Sequence, residues 1–169
     1  MRSNFIIDEH CLTTQTHSFF EWVKRWSQSR SLWPILAGSG ISATEFHSLF
    51  GSRYDIERLG IEGIKYSPVQ ADLLVITGPV TKKKFPVLMN IYQQMTTPKW
   101  VMALGSEAIG GGLFKNHTLM ENWMDFIPVD VKVPGHPPSP ESIIQGLLYV
   151  RERIEKGVQH GKSLAEVES

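Results

Sequence analysis

Cysteine is almost missing from this chain of 169 residues, which has Cys11 and no other. An internal disulfide is therefore impossible. An excess of one charge is missing as well. The 17 basic and 17 acidic residues leave a formal net charge of +0, so there is no electrostatic reason to expect nucleic acid as a partner. No run of about 18 apolar residues occurs, which excludes an obvious membrane-spanning helix. The first residues, MRSNFIIDEH, meet acids early and offer neither an apolar stretch nor a small-residue cleavage site. No signal peptide is expected, and the reading places the chain in the cytoplasm. Neither a GxGxxG fingerprint nor a Walker lysine is present. Internal repeats and low-complexity segments are absent too. What is there suits one folded domain with a real core: 41% hydrophobic and 20% charged residues.

Residues 1–16 are polar and mixed and read as a flexible arm. Residues 17–29 read as an amphipathic helix with Phe19, Phe20, Val23 and Trp26 on one face and Lys24 and Arg25 outside it. That helix either packs on its own domain or docks on a partner or membrane surface. From residue 30 to 156 apolar runs alternate with helical periods. Strands are expected at 32–37, 71–78, 99–104 and 129–133, with Val129, Val131 and Val133 sharing one face of the last. Helices are expected at 42–50, 82–95 and 140–156, with a short one at 55–59. In the helix at 82–95, Phe85, Leu88, Tyr92 and Met95 face inward. In the last helix the inward residues are Ile143, Ile144, Leu147, Leu148 and Ile154. Residues 157–169 are polar and expected to fray. This alternation predicts a three-layer α/β domain with a four-stranded, mainly parallel sheet and helices on both faces.

In such a sheet, functional loops lie beyond the carboxyl ends of the strands. Three stand out: Gly38–Ser42, Gly105–Gly112 and Pro134–Pro138. The first joins a strand to a helix through Gly38-Ser39-Gly40, a weak sign of a phosphate site. The last belongs to FIPVDVKVPGHPPSPE (126–141). Here Pro134-Gly135 stops a strand, Pro137-Pro138 keeps the backbone extended, and Ser139 caps a helix that has Pro140 in its first turn. His136 stands at the tip.

These blocks resemble the small, cluster-bearing subunit shared by respiratory complex I and membrane-bound energy-converting [NiFe] hydrogenases. The resemblance rests on the helix start ending in Glu45, on SRYDIERLGI (52–61) and on ADLLVITGPVTKK (71–83). It continues through PKWVMALGSEAIGGGLF (98–114) and IPVDVKVPGHPPSPESIIQGLL (127–148). The wording RYDIERLGI leans toward the hydrogenase-type branch, and Ser52 toward complex I.

The resemblance implies one [4Fe–4S] cluster held by four cysteine thiolates from the three loops. Every one of those positions holds something else. In the hydrogenase-type spacing the first two fall at Ser39 and Ser42, and in the complex I spacing at Ile41 and Ser42. The third falls at Glu107 and the fourth at His136. Cys11 matches none. Iron–sulfur centres need soft, easily ionised thiolates, so the expectation is that no cluster is bound and no other cofactor replaces it. Glu107 and His136 instead fill the vacated space with a mutual hydrogen bond. A weaker reading makes them a divalent-metal pair that Glu45 could join, and others make the site a proton relay or a small-anion site. His47 and His117 read as ordinary helix and loop residues.

The resemblance also implies that Arg53, Tyr54 and Asp55, with Gly110, Gly111 and Gly112, face the large partner subunit and its quinone side. The alternative for the Arg53-Tyr54-Asp55 turn is a local Arg–Asp pair. Thr77, Gly78 and Thr81 would order the loop after the second strand. The expected partners are a large-subunit homologue, of the 49 kDa or hydrogenase large-subunit type, and membrane-arm subunits. The chain would then sit peripherally on the cytoplasmic side of the cell membrane, as a cluster-free scaffold. Against this stands an electron-transferring subunit with an altered cofactor site, and more distantly a metal-dependent reaction at Glu107 and His136.

Overall fold

Runs such as Leu73–Thr77 and Trp100–Leu104 are apolar at nearly every position, a pattern that suits strands covered on both faces. The computed structural model describes residues 7–8, 11–12, 16–112, 116–158 and 160. A small antiparallel pair comes first, β1 (Ile7–Asp8) with β2 (Cys11–Leu12). Most of the arm expected at 1–16 lies outside the described residues. Helix α1 (Thr16–Arg30) follows. The main sheet is β3 (Pro34–Gly38), β4 (Leu73–Thr77), β5 (Trp100–Leu104) and β6 (Val131–Val133), in that order and parallel throughout. The expected four-stranded α/β domain is therefore what forms.

Helices cover both faces. On one, α2 (Ile41–Ser48) and α5 (Pro140–Glu155) bury Phe46, Ile143, Leu147 and Val150 against Leu73, Val75, Met102 and Leu104. On the other, α3 (Phe85–Gln94) and α4 (Ser106–Gly110) cover Leu74, Ile76, Val101 and Ala103 with Leu88 and Ala108. The alternation of buried residues along each strand follows from the period-two geometry of a pleated strand. After α2 the chain returns to the outer edge of β3, where Ile61 and Lys65 bridge in parallel to Leu32 and Ile35. It then crosses β3 to enter β4, and α3 follows on the opposite face. The direction of winding thus reverses between β3 and β4, which makes their carboxyl ends a topological switch point.

Several expectations shift in detail. Val129 does not share a face with Val131 and Val133. It precedes β6 and packs into the opposite apolar layer, because the strand begins only after Asp130. Leu148 is exposed. The close approach of α5 to the sheet is made at Gly146, where a Cβ would lie 2.5 Å from Val133 Cγ2. Helix α3 begins at Phe85, later than expected, because the turn at 82–84 folds onto Thr81: its carbonyl accepts from the Lys84 and Phe85 N–H groups. Helix α1 packs on α5 through Ser29, whose hydroxyl donates to Glu155 Oε1, so Phe19, Phe20, Trp22 and Trp26 stay exposed. Within the tail expected to fray, Val158 is buried and His160 is packed; residues 159 and 161–169 lie outside the described residues.

One carboxylate ties the start of the sheet together. Asp72, just before β4, accepts the Trp33 N–H at 2.7 Å. Burial pushes its pKa up to about 6, against the opposing pull of that hydrogen bond. The folded state therefore holds the Asp72 proton more tightly than the unfolded chain does. Its contribution to stability is full below about pH 4 and is lost as pH rises through about 6, by a total on the order of 3 kcal/mol. Asp72→Asn keeps an acceptor for Trp33 and cannot titrate. Urea unfolding between pH 4 and 7 should show that slope in the parent chain and a flatter profile in the variant.

Candidate functional site

The loops that leave β3, β4, β5 and β6 meet at one end of the sheet, and glycine lets their backbones touch. Gly78 has φ +67°, and a Cβ there would fall 2.0 Å from the Ser39 carbonyl oxygen. Gly105 has φ +90°, and its Cβ would sit 2.4 Å from Ser42 Oγ and 3.6 Å from the Gly135 carbonyl oxygen. That carbonyl also accepts the Ser106 N–H at 2.8 Å, while Val133 accepts the Gly105 N–H at 2.9 Å. Left-handed backbone of this kind is open to glycine and costly for other residues.

Into this frame the four replaced positions bring no common chemistry. Ser42 is 2% exposed, pressed against Gly105. Ser39 is exposed and contributes its carbonyl to the contact with Gly78. Ile41 opens α2 with its side chain in solvent. Glu107, in the first turn of α4, reaches into the hollow between the loops. Cβ atoms at Gly40 and Gly78 would lie 3.1 and 3.7 Å from its Oε2, and one at Gly112 would lie 3.6 Å from its Cγ. His136, from a turn whose His136–Pro137 peptide is cis, approaches Glu107 with Nδ1 to Oε1 at 3.9 Å. The expected pair thus comes together, but beyond hydrogen-bond distance, with His136 partly in solvent. Such a contact contributes about 0–1 kcal/mol, less than a buried hydrogen bond.

This donor set does not fit a [4Fe–4S] cluster. In either spacing the set is Ser42 with Ser39 or Ile41, then Glu107 and His136: hydroxyl, hydroxyl or aliphatic, carboxylate and imidazole, where the resemblance implies four soft thiolates. The carboxylate stem also occupies part of the hollow. Nor do His, Cys, Asp and Glu side chains gather in threes around a possible metal position among the described residues. Glu45 is half-buried on α2, His47 Nδ1 hydrogen-bonds the Ala43 carbonyl, and His117 lies in a turn.

The flanking turn is built differently from expectation. Asp55 pairs with Arg58 at 2.5 Å, rather than with Arg53, in a left-handed conformation that starts a short 3-10 helix. Arg53 lies over the Tyr54 ring, and Tyr54 donates its hydroxyl to Glu141 Oε1 at 3.0 Å. The turn is therefore tied to the first turn of α5, beside the His136 loop. Gly110 has open space around it, while Gly111 sits against Leu119. Thr81 Oγ1 accepts the Lys84 N–H and helps order the loop after β4.

Two groups escaped the reading of the sequence. Lys84 stands near Glu107, and burial holds its ammonium below the usual lysine range while Glu107 acts in the opposite direction. At the other end of the sheet, the Asp130 side chain is fully buried. It accepts the Val101 N–H at 2.9 Å, meets Arg153 at 3.4 Å and His160 at 2.5 Å, and His160 in turn meets the Tyr92 hydroxyl at 2.8 Å. Arg153 falls on the same helical stripe as Val150 and Leu147, which is the signal that could have revealed it.

The glycine contacts give a direct test. Gly105→Ala should cost at least about 2 kcal/mol, since both its φ and its approach to Ser42 forbid a Cβ. Gly110→Ala should change stability by less than about 1 kcal/mol. Chemical denaturation of the two variants beside the parent chain checks the contrast.

Comparison with known proteins agrees with this geometry. A family model described as NADH ubiquinone oxidoreductase, 20 Kd subunit, matches residues 37–150. An NADH-quinone oxidoreductase subunit from Symbiobacterium thermophilum is 44% identical over 146 residues, 86% of each chain. The corresponding subunit from Campylobacter fetus is 42% identical over 149 residues, 88% of this chain and 86% of its own. Among solved structures, a chain of the membrane-bound sulfane sulfur reductase, an archaeal respiratory membrane complex, superposes with a TM-score of 0.76 at 37% identity. The match covers 82% of this chain and 78% of that one. The chain belongs to the family of the 20 kDa subunit of NADH ubiquinone oxidoreductase.

Proposed function

We propose that this protein is a cluster-free structural subunit of a complex I-like or hydrogenase-like, ion-translocating membrane complex. It joins a large-subunit homologue to the membrane arm on the cytoplasmic side and carries no electrons itself. The observation that carries the reading is the contrast at the loop frame. The glycine contacts and the proline turn around His136 persist, while all four thiolate positions hold other residues and the Glu107 side chain stands in the hollow. Shape is what an interface needs, and thiolates are what a cluster needs. A chain released from both demands would be expected to lose both.

The surface supports an assembly role. Phe19, Phe20, Trp22 and Trp26 line an exposed side of α1, and Ile41 and Arg53 are exposed near the loop frame. Aromatic side chains left in solvent together on one helix suit burial against another subunit or the head-group region of a bilayer. Among the described residues no helix is long and apolar enough to cross a membrane, so attachment would be peripheral.

The test is co-purification. The tagged chain, extracted from membranes in mild detergent, should bring down a large-subunit homologue in equal amount. Phe20→Ser with Trp22→Ser should leave the fold intact, because both side chains are exposed, and should weaken retention by about 1–3 kcal/mol per aromatic. Recovery of the parent chain as a free monomer, or retention unchanged by the double substitution, would contradict this role.

A further inference from the structure

The polar cluster at the other end of the sheet has no role in the family reading. It is completed by the short segment that follows α5. Gly157, with φ +70°, turns the chain back at the end of the helix, and the Val158 N–H returns to the Arg153 carbonyl at 3.0 Å. A Cβ at Gly157 would sit 2.8 Å from Arg25 Nη1, so glycine also lets this turn pass close to α1. Val158 is then buried, and His160 reaches the base of the sheet.

The imidazole of His160 is held at both nitrogens. Nδ1 lies 2.5 Å from Asp130 Oδ2, and Nε2 lies 2.8 Å from the Tyr92 hydroxyl. A carboxylate only accepts, so Nδ1–H donates to Asp130 and Nε2 accepts from Tyr92. The ring stands edge-on to Trp100, with centroids 6.5 Å apart. Both partners are fixed by bonds of their own. Asp130 accepts the Val101 N–H, and Lys99 covers the Tyr92 ring while donating to the Tyr92 carbonyl at 2.7 Å. The anchors therefore belong to the domain, and the imidazole is the movable part.

Little else holds the segment. Val158 is buried, yet it belongs to neither of the two apolar layers that flank the sheet. Elements with few apolar contacts to the core open at lower free energy than the core itself. With α1 and the Thr97–Trp100 approach to β5, Gly157, Val158 and His160 enclose a groove of about 560 Å³. We propose that these three residues form a strap that closes this groove, with Gly157 as its hinge and His160 as its catch, and that the strap opens while the α/β core stays folded. Opening widens the groove at Trp100, which is buried when the strap is closed. The device does not rest on the assembly role proposed above.

Amide hydrogen exchange of the full chain, residue by residue and corrected for intrinsic rates, tests this. In the parent chain the Val158 amide should exchange about tenfold or more faster than the amides of β4, the strand paired on both sides. His160→Ala removes the catch and should accelerate Val158 by about tenfold or more, with β4 changed by less than about threefold. Tyr92→Phe removes only the hydroxyl and should give a smaller acceleration at Val158, again with β4 unchanged. If His160→Ala does not fold, Tyr92→Phe decides by the same comparison. Equal exchange of Val158 and β4 in the parent chain would overturn the proposal, because the segment would then open only with the core. So would a Val158 rate that neither substitution moves, or an equal rise at Val158 and β4, which would mark loss of global stability instead of release of a catch.

Discussion

The functional end of this molecule depends on glycines that let neighbouring loops approach more closely than a Cβ would allow. Gly38 lies on Thr77, Gly78 on Ser39, Gly105 on Ser42, and Gly135 on Pro138, each closer than a Cβ would permit. Four parallel strands deliver their loops to one end, but strand geometry alone would leave those loops apart. The glycines, in left-handed conformations, draw them into one frame. The contacts of Gly38 with Thr77 and of Gly78 with Ser39 are made to main-chain carbonyls, whereas Gly105 rests on the Ser42 side chain, so the frame tolerates change at most positions but needs a small residue at 42. The family fold thus persists with Ser39, Ile41, Ser42, Glu107 and His136 in the loops of this frame.

The consequence is a separation of shape from chemistry. The apolar layers on both sides of the sheet fix where the loops arrive, and the Tyr54–Glu141 hydrogen bond couples the outer turn to the helix after the His136 loop. None of these interactions uses a cluster ligand. The side chains inside the frame are mismatched instead: Ser42 is buried against Gly105, Ile41 turns to solvent, and Glu107 and His136 face one another at 3.9 Å across partly wet space. At that separation the carboxylate and the imidazole fill space without hydrogen-bonding each other. That is consistent with a subunit kept for its contacts.

Much of this was legible in the sequence, for physical reasons. Short, continuous apolar runs bounded by turn residues suit strands covered on both faces, so the parallel sheet followed from Leu73–Thr77 and Trp100–Leu104. Ser139 and Pro140 announced the start of α5, and Ser139 Oγ does accept the Ser142 N–H. Periodicity failed where backbone chemistry decides an element's end. Thr81 delays α3, and Asp130 keeps Val129 out of β6 by turning to Arg153 and His160. The convergence of Glu107 with His136 was legible from their loops, but their spacing was not, because it depends on how far the glycines let the loops close. Lys84, half-buried near Glu107, was hidden for another reason: its burial is a property of packing between elements, and no local pattern encodes it.

The central claim is that the loop frame is retained without its cluster. It is tested most directly by quantifying iron and acid-labile sulfide in the native complex purified without oxygen, with the share in this chain resolved by its separation and by visible absorption near 400 nm. The account predicts neither stoichiometric iron and sulfide nor an iron–sulfur absorption band in this chain. Four irons and four sulfides for each copy of it would contradict the account.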